Sequence, residues 1–110
     1  MSWHLIEALE DLRERIGKPV RIISGYRCPE YNRRVGGAPR SQHLLGRAAD
    51  VRVLGLPDFG IHEIVDAIYA DKLYFYPFAR GGIGVYTEQN FVHLDVRGEY
   101  GGRTARWHGK

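Results

Sequence analysis

Two short stretches carry side chains whose types and spacing could do chemistry. In "SQHLLGRAAD", residues 41–50, His43 and Asp50 stand seven positions apart with Gly46, Ala48 and Ala49 between them. If Asp50 begins a strand and His43 sits in the loop before it, Gly46 permits a turn and the alanines leave room for close packing. The two polar side chains can then converge on one point. "FVHLDV", residues 91–96, adds His93 and Asp95. Alternate residues of a strand share a face, so these two lie on one side while Val92, Leu94 and Val96 point into a core. Two imidazoles and a carboxylate, with a fourth position left to water, form the ligand set of a catalytic zinc site. Such a metal acidifies its bound water and polarises a carbonyl, which is what amide hydrolysis needs.

The elements that must position these groups are legible in the pattern. Leu5, Leu9, Leu12 and Ile16 recur at helical spacing and predict a helix over residues 2–16, capped by Ser2 and ended by Gly17 and Lys18-Pro19. "VRIIS", Val20 to Ser24, reads as a short buried strand. Pro29 begins a brief helix through Arg34, closed by Gly36-Gly37. Ala48 to Leu54 is a second strand, and the turn "GLPDFG" separates it from a helix of about ten residues starting near Ile61, with Ile61, Ile64, Val65 and Ile68 facing inward. "GIGVY", Gly82 to Tyr86, and Phe91 to Val96 form an antiparallel hairpin around the polar turn "TEQN". This order fits an α+β domain, a small antiparallel sheet flanked by helices.

Length and composition limit what such a site can serve. The 110 residues suit one domain and are too few for two ordinary ones. At 44% apolar and 26% charged the chain is of globular composition. No apolar run approaches the roughly 20 residues of a membrane helix, and the amino terminus is acidic and amphipathic, so neither membrane insertion nor an export signal is expected. The lone Cys28 excludes an internal disulfide and reads as a packing residue. A net charge of +3 favours anionic surroundings. The arginines are scattered without a dense basic run or interleaved aromatics, which argues against nucleic acid as the partner. His4, His62 and His108 have no ligand context and read as surface residues. Tyr74, Tyr76 and Phe78 read as core and edge structure able to wall a cleft, and Trp107 as packing against the sheet or the cleft rim.

"SQHLLGRAAD" also fits S-x-H-x-x-G-x-A-x-D, the pattern of the zinc D-Ala-D-Ala carboxypeptidases, a group that resembles the L-Ala-D-Glu endopeptidases and the Hedgehog signalling domain. "SGYRCPEYN", residues 24–32, is similar to the segment preceding the motif in that family, and "GIGVYTEQNFVHLDVRG" resembles the stretch carrying its last ligand. The resemblance implies a Hedgehog/DD-peptidase-like zinc fold and Zn2+ ligands His43, Asp50 and His93. It further implies that Arg27 holds a substrate carboxylate by paired hydrogen bonds. Ser41 and Gln42, beside the first ligand, would hydrogen-bond substrate or orient that histidine.

One position departs from the pattern. Several relatives carry a glutamate or aspartate three residues before the last histidine, where this chain has Asn90. Proton acceptance then falls to Asp95, on the face of His93, or to Glu88 in the turn, with Asp95 favoured; the alternatives are that Asp95 is a partner fixing a ligand's tautomer and Glu88 a solvated turn residue. The expected activity is a monomeric zinc metallopeptidase acting on the peptide stems of bacterial peptidoglycan, as a carboxypeptidase or a related endopeptidase. Its size resembles forms found in phage tails or lysis modules, which would deliver it to the cell wall. Two rivals are a Hedgehog-like module that keeps zinc without hydrolysis, which Asn90 favours, and a metal-free peptidoglycan-binding module, which the intact ligand set opposes.

Overall fold

The apolar repeat at the amino terminus forms helix α1, Trp3–Ile16. The Ser2 hydroxyl accepts from the Leu5 amide at 3.4 Å, satisfying one of the amides that a helix start leaves open. Gly17 ends the helix in the left-handed region at φ 75° and donates its N–H to the Arg13 carbonyl, a conformation that favours glycine. Leu5, Leu9 and Leu12 are buried as their spacing requires, with Ala8 beside them. The fold is a computed structural model that describes residues 2–24, 42, 43, 45–73 and 75–109. Arg27, Cys28, Ser41, Tyr74 and the helix expected over Pro29 to Arg34 lie outside the described residues.

Five strands form one sheet: β1 Arg21–Ser24, β2 Ala48–Arg52, β3 Gly82–Tyr86, β4 Phe91–Asp95 and β5 Ala105–Gly109. Their spatial order is β1-β2-β4-β3-β5. Three of the four pairings are antiparallel, as expected. The fourth departs from the sequence expectation, because β5 was not foreseen and runs parallel to β3. Two strands also stop early for reasons visible in the backbone. β2 ends at Arg52 because the Val53 amide turns to the Phe59 carbonyl at 2.7 Å. β4 ends at Asp95 because the Val96 amide goes to the Arg47 carbonyl at 3.0 Å.

One face of the sheet is the core. Ala49, Val51, Ile83, Val92 and Leu94 pack there with α1 and with Ile64 and Ile68 of helix α2, Ile61–Tyr69. Ile61 packs at the margin, whereas Val65 lines an open groove shared with Val85 and His108. Tyr76 and Phe78 lie in this core and do not wall a cleft. The Tyr76 hydroxyl donates to the Ala8 carbonyl at 2.6 Å, which satisfies a buried polar group. The alternation of strand residues leaves the opposite face of the sheet to polar side chains. Among the described residues no helix is long and apolar enough to cross a membrane.

Candidate metal centre

The strand register lays one row of residues across the polar face. Asp50 of β2 pairs with His93 of β4, His93 with Gly84 of β3, and Gly84 with Trp107 of β5. The next row runs Ala48, Asp95, Gly82, Ala105. His43 arrives from the turn before β2. Gly46 adopts φ 68° and donates to the His43 carbonyl at 3.1 Å, while the amides of Leu45 and Arg47 both donate to the Gln42 carbonyl. The Ser2 amide bonds the Gly46 carbonyl at 2.7 Å. The start of α1 and the end of β4 therefore both fasten the turn that presents His43.

The side chains converge. His43 Nε2 lies 3.2 Å from Asp50 Oδ1, and His93 Nδ1 lies 3.2 Å from the same oxygen. One ligand atom from each residue falls within 4.8 Å of the others. The three residues are buried, with 3%, 5% and 8% exposure for His43, Asp50 and His93. Two imidazole nitrogens and a carboxylate oxygen meeting at one secluded point fit the donor set and spacing of a zinc site that keeps an open position.

The electrostatics follow from this crowding. Burial by itself would raise the Asp50 carboxyl, but hydrogen bonds with His43 and His93 outweigh it and hold the group below the ordinary carboxylate value. Burial would likewise lower the His93 imidazole, and the hydrogen bonds with Asp50 and Asp95 reverse that and raise it. For Asp95 burial again opposes ionisation, yet its hydrogen bonds with His93 and Arg97 win and hold it well below the usual range.

Asp95 touches the cluster from behind. It is fully buried, and its Oδ2 lies 2.9 Å from His93 Nε2. Its Oδ1 accepts from the Gly82 amide at 2.8 Å and the Arg97 amide at 3.1 Å. The Arg97 guanidinium adds Nε to both oxygens, at 2.9 and 3.0 Å, and a terminal nitrogen to Oδ2 at 2.7 Å. A Cβ at Gly82 would fall 2.2 Å from Asp95 Oδ2, so glycine makes room for the carboxylate. Gly84 does the same for Trp107, whose indole would meet a Cβ there at 2.3 Å. That indole packs against the His93 ring at 4.9 Å and donates from Nε1 to the Tyr86 hydroxyl at 2.9 Å.

His43, Asp50 and His93 thus come together, with Asp95 in contact with His93. Glu88 is exposed in the β3–β4 turn. Asn90, at φ 58°, lines the groove beside Val85 and His108. Gln42 is half-buried, and its Oε1 is buried without a hydrogen-bond partner among the described residues. His4, His62 and His108 are exposed. Sequence reasoning missed Arg97, although it stands two residues beyond Asp95. It also passed over Gly82 and Gly84, whose place inside a strand is the mark of a close approach by another group.

The profile of the Peptidase M15 family matches residues 2–95, most of the chain. The chain belongs to the Peptidase M15 family. Among curated relatives of this M15 chain, the peptidoglycan L,D-endopeptidase MepK of Escherichia coli K12 is 33% identical over 99 residues, covering 84% of this chain and 49% of MepK. The probable peptidoglycan L,D-endopeptidase MepK of Haemophilus influenzae is 30% identical over 104 residues, covering 87% and 50%. The M15 chain spans about half the length of these relatives. No solved structure matches it significantly.

Proposed function

We propose that this domain is a zinc-dependent peptidase that cuts the peptide stems of bacterial peptidoglycan, as an endopeptidase acting between L- and D-configured residues. The observation that carries the reading is the convergence of His43 Nε2 and His93 Nδ1 on one Asp50 oxygen, in a chain of a peptidase family. The relatives named as L,D-endopeptidases favour that specificity over carboxypeptidase action. Zinc held by His43, Asp50 and His93 would supply Lewis acidity, acidifying a water and polarising the scissile carbonyl.

The chain's own residues divide the remaining work. Asp95 holds Nε2 of His93, which leaves Nδ1, on the side of Asp50, as the nitrogen that the ring offers to the centre. Gln42 and Ser41, beside the first ligand, bind substrate or orient His43, and Arg27 holds a substrate carboxylate. The oxygens of Asp95 are committed to Arg97, Gly82 and His93, so its role is to hold the ring. Of the two carboxylates considered for proton acceptance, that leaves Glu88, exposed on the hairpin turn. The domain acts at the cell wall as a monomer.

Mass spectrometry of purified muropeptides treated with the zinc-loaded domain tests the reading. Scission between an L- and a D-residue within the stem is expected. Release of terminal D-alanine alone would make it a carboxypeptidase. Zinc binding without any product would favour the Hedgehog-like, non-hydrolytic module to which Asn90 points.

A further inference from the structure

Three side chains, Asp95, Arg97 and Trp107, close a ring with the imidazole of His93. His93 Nε2 meets Asp95 Oδ2 at 2.9 Å, and Asp95 receives the Arg97 guanidinium through both oxygens. That guanidinium lies 5.5 Å from the centre of the Trp107 ring. The indole returns to pack on His93 at 4.9 Å, held in turn by the Tyr86 hydroxyl.

From this ring we infer that Arg97 is a positioning residue, locking the imidazole of His93 through Asp95 and Trp107 so that Nδ1 faces Asp50. The inference rests on the metal-centre reading above. A carboxylate with no fixed partner could turn away from His93. An Arg–carboxylate fork restricts that, because its parallel hydrogen bonds set orientation. The cation over the indole also couples Arg97 to the wall packed against the ring, and cation–π contacts of this kind favour a fixed guanidinium plane. Lysine at position 97 would keep the charge and lose the fork.

The test is zinc affinity of the full chain, measured by competition with a chromophoric chelator for the wild type, Arg97→Ala and Arg97→Lys. The visible spectrum of the Co2+-loaded proteins reports ligand geometry alongside, and thermal melts of the metal-free proteins report folding. Loss of a group that orients a metal-binding histidine typically lowers metal affinity by about 10–100-fold. That loss is expected for Arg97→Ala, with an altered Co2+ spectrum, and Arg97→Lys should fall between it and the wild type. A folded Arg97→Ala protein with zinc affinity within about two-fold of the wild type and an unchanged spectrum would overturn the inference. Should Arg97→Ala fail to fold, the same result for Arg97→Lys would overturn it. A wild type that binds no zinc instead overturns the metal-centre reading itself.

Discussion

Asp95→Asn replaces the carboxylate beside His93 Nε2 with an amide and leaves the Arg97 fork without its anion. Zinc affinity should fall by about 10–100-fold, with turnover at saturating zinc reduced much less. Glu88→Gln should show the opposite signature, since removing a general base costs on the order of 100-fold in kcat or more while zinc affinity stays at the wild-type level. Chelator competition beside steady-state kinetics checks both, and a collapse of turnover in Asp95→Asn with zinc affinity intact would return the base role to Asp95. His43, Asp50 and His93 were legible in the sequence because spacing and alternation place them and the family pattern singles them out. For Asp95 the sequence left two readings open, proton acceptor or partner of a histidine ligand. Alternation tells which face a strand residue occupies, but where its carboxylate turns is decided by Arg97 and by the space that Gly82 leaves.

Among the elements, α1 was read almost to the residue because leucine spacing, an N-cap and a terminal glycine all agree. Leu12 is fully buried, so Leu12→Ala should cost about 2–5 kcal/mol of stability, measured by urea denaturation. A cost near that of a surface substitution would contradict the packing described. The same helix start also fastens the His43 turn through the Ser2 amide, so the element serves the site as well as the core. Strand β5 escaped the sequence because its alternation, Ala105 and Trp107 against Arg106 and His108, is short and carries only one large apolar side chain, as befits an edge strand whose residues are half-buried or exposed. Its pairing rests on backbone register with β3 and on the seat that Gly84 gives Trp107, features that hydrophobic alternation does not encode.

For the whole molecule, the buried charges predict how stability depends on pH and metal. The His93 imidazole is raised above its ordinary 6.5. Its contribution is therefore complete below that value and lost as pH rises through the folded one. Asp50 and Asp95 are lowered from 3.8, so theirs is present above that value and lost as pH falls through the folded ones. The metal-free domain should accordingly be most stable between about pH 4 and 6.5. Zinc requires neutral imidazoles and competes with protons for them, so the gain in Tm on adding zinc should widen from about pH 5 to 8. Thermal melts with zinc and with a chelator across that range check this, and a gain independent of pH would contradict it.

The most direct test of the central claim is the zinc stoichiometry of the wild type and His43→Ala by native mass spectrometry. The account predicts about one zinc per chain in the wild type and none in His43→Ala, with the variant otherwise folded. A wild type without zinc, or a variant that retains it fully, would contradict the assignment of His43, Asp50 and His93 as the metal centre.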